Sequence, residues 1–134
     1  MVTIDIDQIS KKYGRRYIFK NFSASLRANH RYGIAGRNGS GKSSLLKIIS
    51  GYTTPSEGSI RYSINEKEVK VEDIFQEISF IAPYTSVPLQ LTWAELHDFH
   101  FSFQKPFEKL SKKEILKHFD LPTNIPLSNF SSGM

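Results

Sequence analysis

Residues 33–51, GIAGRNGSGKSSLLKIISG, contain the most specific pattern in the chain. Residues 36–43 match G-x-x-x-x-G-K-[ST], in which glycines let the backbone curl so that successive N–H groups point at phosphate oxygens. Apolar residues then recur at helical spacing through residues 45–49, and Gly51 stands where a helix commonly ends. Because a helix N-terminus favours an anion, this stretch predicts a phosphate-binding loop that opens a helix.

Two side chains of the loop have distinct predicted roles. Lys42 would reach the terminal phosphates of a nucleotide as a point charge. The Ser43 hydroxyl would be a hard oxygen ligand for the Mg²⁺ that bridges those phosphates. The alternative interpretation is a tight strand-to-helix turn without a ligand. The predicted phosphate-binding residues are Gly36, Arg37, Asn38, Gly39, Ser40, Gly41, Lys42, Ser43 and Ser44.

The composition is that of an ordinary globular protein. A length of 134 residues fits one domain, and the absence of cysteine excludes disulfides and thiolate metal sites. The N-terminus does not read as a signal peptide, and no apolar run approaches the roughly 20 residues that cross a bilayer, so we expect a soluble protein.

The net charge is +5, with basic clusters at residues 11–16 and 109–117. These clusters are interpreted as solvated faces, with a nucleic-acid surface as the alternative.

Apolar alternation and short apolar segments bounded by turn residues predict a sheet in the first part of the chain. The predicted strands cover residues 2–7, 17–27, 31–36, 59–64 and 77–83. We therefore expect a sheet packed around the helix that follows the phosphate loop.

The second part of the chain has helical signals. TWAE at residues 92–95 and SKKE at residues 111–114 have capping-box spacing, and they predict helices that run to about residues 103 and 118. The predicted division is therefore an α/β core with the phosphate loop at 1–83 and a helical subdomain at 84–134.

Several segments around the loop resemble the nucleotide-binding domain of ABC transporters. Residues 36–60, GRNGSGKSSLLKIISGYTTPSEGSI, have that family's order of phosphate loop (Walker A), helix and Gly-x-x-x-Pro-x-x-Gly turn. KKYGRRYIFKNFSASL at 11–26, QLTWAEL at 90–96 and FSSGM at 130–134 resemble the aromatic segment, the start of the helical subdomain and the signature Leu-Ser-Gly-Gly-Gln. The resemblance implies an α/β P-loop NTPase fold of the ABC ATPase type: a mixed β-sheet around a central helix, plus a helical subdomain, incomplete at the C-terminus.

The resemblance also implies ligands and partners. Tyr13 occupies the place of the aromatic residue that stacks on adenine, and the implied cofactors are ATP and Mg²⁺. Ser131, Ser132 and Gly133 would contact the γ-phosphate of ATP held by a second nucleotide-binding domain in a head-to-tail dimer. An ordinary strand-edge tyrosine and a plain helix N-cap are the alternatives. A transmembrane transporter subunit, a cytoplasmic location at the inner face of the membrane and no nucleic-acid partner are also implied.

The chain departs from the family's pattern at two places. Tyr84 stands where the family usually has a Q-loop glutamine that touches Mg²⁺ and the attacking water, and Gln90 lies six residues further on. A phenol lacks the donor and acceptor pair of an amide. In the signature, Ser132 and Met134 replace the family's glycine and glutamine.

Hydrolysis needs acidic groups that the sequence does not place. In the family, an apolar strand ending in aspartate and glutamate (Walker B) follows the signature. Four carboxylates of the second part instead fall in or beside predicted helices: Glu95, Asp98, Glu114 and Asp120. We therefore expect the N-terminal portion of a longer ATPase that powers transport, with this chain alone binding ATP but inactive in hydrolysis. The alternatives are a nucleotide-binding module without hydrolysis and a non-transport ATPase of chromosome maintenance, DNA repair or translation.

Histidines and aromatic residues in the second part allow further interpretations. His97 and His100 have i, i+3 spacing, which would let the two side chains bind one metal ion from the same face of a helix. The more common alternative is that the two rings are packed or solvated. The aromatic residues fit either core packing or a surface for a partner. They are Trp93, Phe99, Phe101, Phe103 and Phe107.

Overall fold

The computed structural model describes residues 1–82, 87–104 and 111–130. The chain divides into two compact units, Met1–Phe80 and Ile81–Met134. The functional division predicted at residues 83 and 84 stays a prediction.

The first unit is built on a four-stranded sheet. Its strands are β1 (Val2–Tyr13), β2 (Arg16–Arg27), β3 (Glu57–Ile64) and β4 (Lys67–Val69). Their order in the sheet is β2-β1-β3-β4, and every neighbouring pair is antiparallel. The predicted strands at 2–7, 17–27 and 59–64 are confirmed, although β1 extends six residues beyond its predicted end.

A bulge in β1 explains why its second half was not predicted. From Ile6 to Ile9, β1 advances three residues while its partner in β2 moves two, and Gln8 has a φ of 45°. The extra residue breaks the strict alternation of apolar side chains. As a result, Ile6 and Ile9 are both buried although they are an odd number of residues apart.

Helix α1 (Lys42–Ile49) packs on this sheet. Leu45 and Ile48 form the buried core with Ile6 and Ile9, because i, i+3 spacing puts both helical residues on one face. The buried Tyr62 of β3 donates its hydroxyl to the carbonyl oxygens of the last helical residues, Ile48 and Ile49, at 3.3 and 3.2 Å. Sheet and helix are thus joined by apolar packing and by hydrogen bonds at the helix C-terminus.

Two predicted strands are wrong within the residues described. Residues 31–36 form no strand because none of the strands described above pairs with them, and a strand requires a hydrogen-bonded neighbour. Residues 77–82 also form no strand. Glu77 and Ile78 instead donate their backbone N–H groups to the carbonyl oxygen of Ile74, which opens a short 3₁₀ helix, Ile74–Gln76.

The second unit contains helices α2 (Trp93–Phe101) and α3 (Lys112–Phe119), and a short 3₁₀ helix, Leu127–Asn129. Both predicted capping boxes are confirmed, since Thr92 and Ser111 each exchange hydrogen bonds with the glutamate three residues later. The two α-helices contact each other, with the Trp93 and Phe119 rings edge to face at 5.6 Å. Across 1–82, 87–104 and 111–130, no helix is long and apolar enough to span a bilayer.

Candidate nucleotide-binding site

The phosphate loop lies between an extended segment and the first turn of α1. Ser40 donates its backbone N–H to the Arg37 carbonyl at 3.2 Å, and this turn brings the chain to Gly41, the helix N-cap. Gly41 has a φ of 95°, and a Cβ atom there would lie 2.5 Å from Cγ2 of Ile18. Glycine is therefore required both by the backbone and by the close approach of β2.

The Lys42 ammonium group lies within the loop that precedes it. Its Nζ donates to the carbonyl oxygens of Gly36 and Arg37 at 2.8 and 2.9 Å. An ammonium has three N–H donors, so the loop can hold the charge while the third donor binds a phosphate oxygen. This arrangement fixes a positive charge at the start of α1, where the helix dipole also favours an anion.

An open cavity of about 460 Å³ lies beside this charge. Its lining combines one apolar residue of β2 with glycines, a lysine and neutral polar residues of the loop and the first helical turn. The lining residues are Ile18, Asn38, Gly39, Gly41, Lys42, Ser43 and Ser44. None of these is acidic, so the cavity suits a polyanion. Ile18 was not predicted, because nothing in its strand pattern distinguishes it from other apolar residues of β2.

The Ser43 hydroxyl fits the predicted Mg²⁺ role in part. Ser43 lies in the first turn of α1 and is one of the residues that line the cavity. Mg²⁺ usually takes only one or two protein ligands and completes its shell with phosphate oxygens and water. A single serine hydroxyl is therefore a suitable protein contribution, and its role as a ligand stays a prediction.

Tyr13 ends strand β1 near the same cavity. It pairs with Arg16 across the hairpin, two residues from the cavity-lining Ile18. The Tyr13 side chain is 60% exposed, so its ring is accessible to a base. One hairpin thus carries both a wall of the cavity and the predicted stacking residue.

A polar bridge crosses this end of the sheet. The Tyr17 hydroxyl of β2 donates to Oε1 of Glu57 in β3 at 2.5 Å, and Lys12 of the intervening β1 lies 3.7 Å from the same carboxylate. The hydrogen bond raises the pKa of the Tyr17 phenol and lowers the pKa of the Glu57 carboxyl. The hairpin that carries Tyr13 and Ile18 is thereby linked to β3 by side chains as well as by backbone.

Several predicted residues cannot be placed. Tyr84, the predicted Q-loop position, lies outside the described residues, as do Ser131, Ser132 and Gly133 of the signature. Gln90, by contrast, lies in a turn before α2. The predictions for the Q-loop and signature residues therefore stay predictions.

The second unit shows packing where a metal site was considered. The His97 side chain is buried, and its ring lies 4.7 Å from that of Phe101. Its Nδ1 lies 3.2 Å from the Asp98 carboxylate. In the described parts of the chain, no group of three or more His, Asp or Glu residues could hold a metal. His97 is thus a packed residue, and its Nε2 has no hydrogen-bond partner among the described residues.

The aromatic residues of α2 divide between packing and exposure. Trp93 contacts Phe119, whereas Phe99 and Phe103 form an edge-to-face pair at 5.4 Å and are 54% and 53% exposed. Phe107 lies outside the described residues. Packing is thus confirmed for Trp93, whereas a role of Phe99 and Phe103 as a surface for a partner stays a prediction.

Comparison with known proteins agrees with this geometry. A family model described as ABC transporter matches residues 19–134, so Tyr13 precedes the matched region. A putative ATP-binding protein, YdiF of Bacillus subtilis, is 35% identical over 71% of this chain and 13% of its own length. The cytochrome c biogenesis ATP-binding export protein CcmA of Idiomarina loihiensis is 32% identical over 73% of this chain and 44% of its own length.

A solved structure has the same fold. The dimeric ATP-binding cassette MJ0796, bound to ADP and Pi, superposes with a TM-score of 0.73 at 24% identity, over 97% of this chain and 64% of that chain. The predicted fold class, a P-loop NTPase of the ABC ATPase type, is thereby confirmed. Within the described residues the sheet is antiparallel throughout and not mixed as predicted. The chain spans less than half the length of the two relatives above and about two thirds of this cassette.

Proposed function

The chain belongs to the ABC transporter family of ATP-binding proteins, and from this premise we propose that residues 36–44 bind the phosphates of Mg-ATP while Tyr13 stacks on the adenine. The observation that carries this proposal is the Lys42 ammonium, which the Gly36 and Arg37 carbonyls hold at the start of α1 beside an acid-free cavity. A fixed cation, exposed loop N–H groups and a helix N-terminus together favour a polyphosphate.

In this proposal each group has one task. The loop N–H groups and the Lys42 ammonium bind phosphate oxygens, and Ser43 contributes a hydroxyl oxygen to Mg²⁺. When bound, Mg²⁺ neutralises phosphate charge. Tyr13 offers an apolar ring face to the base, which adds affinity without reading the base edge.

We extend the proposal to the whole protein as an ATPase that powers transport. Relatives are named for export or for import, such as the Nod factor export ATP-binding protein I of Rhizobium leguminosarum, which is 30% identical over 70% of this chain, and the spermidine/putrescine import ATP-binding protein PotA of Clostridium acetobutylicum, which is 32% identical over 60%. By analogy with the dimeric cassette, two such domains would bind ATP head to tail through Ser131, Ser132 and Gly133. They would act on a transmembrane subunit from the cytoplasmic face of the membrane, on a substrate that these residues do not define.

Three carboxylates of the second unit are engaged in other contacts, which supports the expectation that hydrolysis depends on other residues. Glu95 and Glu114 close capping boxes, and Asp98 binds Lys112 at 2.5 Å. A general base must instead reach the attacking water. We therefore propose that this chain binds Mg-ATP and does not hydrolyse it unaided.

The test is binding of Mg-ATP to the 134-residue chain by titration calorimetry, with Lys42→Ala and a matched control, Lys47→Ala. Lys47 lies in the last turn of α1 and contacts the Tyr52 ring, not the loop. A charge-assisted hydrogen bond contributes about 1.5–3 kcal/mol, so Lys42→Ala should weaken binding by at least about tenfold and Lys47→Ala should not. Equal affinities for the parent chain and Lys42→Ala would refute the site.

A further inference from the structure

The Lys11 side chain connects Tyr13 to the segment that follows helix α1. Its Nζ lies 5.4 Å from the centroid of the Tyr13 ring and donates to the Thr54 carbonyl at 2.8 Å, with the Thr53 hydroxyl at 3.4 Å. An ammonium placed over a tyrosine ring is attracted by its π-electrons. This half-buried lysine therefore restrains a tyrosine that is otherwise largely exposed.

We propose that Lys11 is a positioning residue for the nucleotide base. Its ammonium occupies one face of the Tyr13 ring and holds the ring in one orientation, which leaves the opposite face for adenine. Because the same ammonium is bonded to Thr54, just beyond α1, it sets the ring relative to the helix that begins at the phosphate loop. This inference rests on the proposed function, since it concerns how Tyr13 binds a base.

The backbone around Lys11 is fixed without its side chain. Ser56 donates its backbone N–H to the Ser10 carbonyl at 2.8 Å, and the Lys12 N–H donates to the Ser56 hydroxyl at 3.1 Å. These bonds already join β1 to the segment before β3. Removing the Lys11 ammonium should therefore release the Tyr13 ring while the strand keeps its place.

The adjacent Lys12 supplies a matched control. Its Nζ lies 5.7 Å from the centroid of the Tyr17 ring and 3.7 Å from Glu57. Lys12→Met removes the same charge one residue away, from a different tyrosine. Any effect of net charge alone on the binding of an anion is therefore shared by Lys11→Met and Lys12→Met, whereas an effect through Tyr13 is not.

The experiment compares Mg-ATP with Mg-tripolyphosphate, which has phosphates but no base, by titration calorimetry on the 134-residue chain. A cation–π contact at an exposed site supports an effect of about two- to fivefold. Lys11→Met should weaken ATP binding by about this factor and leave tripolyphosphate binding unchanged, and Lys12→Met should change neither. Lys11→Arg, which keeps the cation, should restore most of the ATP affinity.

Other results would overturn the inference in distinguishable ways. If Tyr13→Ala weakens ATP binding and Lys11→Met does not, Tyr13 binds the base without Lys11, and the proposed function stands. If Lys11→Met weakens ATP and tripolyphosphate equally, its effect does not pass through the base. If the unaltered chain binds no ATP, the proposed function fails and the inference fails with it.

Discussion

Gly41 lies where the phosphate loop meets strand β2, and Gly41→Ala should destabilise the fold more than Gly39→Ala. The φ of Gly41 is 95°, and an added methyl group would lie 2.5 Å from Cγ2 of Ile18 and 3.3 Å from Cδ1 of Phe19. The φ of Gly39 is 79°, and an added methyl group there would meet nothing within 4 Å. Both substitutions therefore strain a left-handed backbone, and only Gly41→Ala adds a steric overlap.

Backbone strain and steric overlap together determine how much more stability Gly41→Ala loses than Gly39→Ala. A left-handed conformation costs a residue with a Cβ roughly 1–2 kcal/mol, which is the loss of unfolding free energy expected for Gly39→Ala. Insertion of a methyl group into a packed contact costs about 1–3 kcal/mol more. We expect Gly41→Ala to lower the free energy of unfolding by about 2–5 kcal/mol. Cγ2 of Ile18 is bonded directly to Cβ, so it cannot move away unless the strand moves with it.

Urea denaturation followed by circular dichroism measures these losses. A double-mutant cycle then identifies the contact: Ile18→Ala removes Cγ2 and should recover part of the loss caused by Gly41→Ala, whereas Ile18→Val keeps a methyl group at that position and should not. Equal losses for Gly39→Ala and Gly41→Ala would refute the claim that Ile18 of β2 leaves no room for a side chain at position 41. The absence of coupling between Gly41→Ala and Ile18→Ala would refute it as well.

Three further predictions concern other parts of the molecule. Tyr62→Phe keeps the ring but removes the hydroxyl that binds the last carbonyls of α1, so the free energy of unfolding should fall by about 1 kcal/mol in urea titrations; an unchanged value would contradict this. Hydrogen bonds from the Thr92 backbone N–H and hydroxyl lower the pKa of Glu95, so its stabilisation is present above the ordinary glutamate pKa and is lost as pH falls through the lowered value. The thermal midpoint should therefore drop less in Glu95→Gln than in the parent chain from about pH 6 to about pH 3, and equal drops would count against this. Tyr13→Ala should weaken ATP and GTP binding alike, since stacking scarcely distinguishes bases, and calorimetry showing loss of ATP binding alone would mean that Tyr13 reads the base edge.

Features determined by neighbouring residues could be predicted from the sequence. The capping boxes at Thr92 and Ser111 depend on a glutamate three residues away, and the phosphate loop depends on a run of eight residues, 36–43. In each case the residues that interact are only a few positions apart in the sequence. The structure accordingly confirms both helix starts and places α1 directly after the loop.

Features that depend on distant partners could not be predicted. Residues 31–36 have the apolar content of a strand, but a strand also needs a neighbour, and composition does not reveal one. Ile18 lines the cavity from more than twenty residues before Gly41, and no local pattern marks it. Lys11 was grouped with other basic residues as a solvated face, because its contacts with Thr53 and Thr54 lie more than forty residues away.

The bulge in β1 links the sheet to the nucleotide site. In a regular strand, residues that share a face with Ile6 are even-numbered, and Lys11 and Tyr13 would point away from helix α1. The extra residue near Gln8 shifts this alternation, so Ile9 joins Ile6 against α1. The pairing of β1 with β2 has two further irregularities, between Ile9 and Lys11 and between Lys11 and Lys12. Lys11 contacts Thr54, just past α1. An irregularity that weakens the sequence signal for β1 thus precedes the residue, Lys11, that joins the Tyr13 ring to the segment after α1.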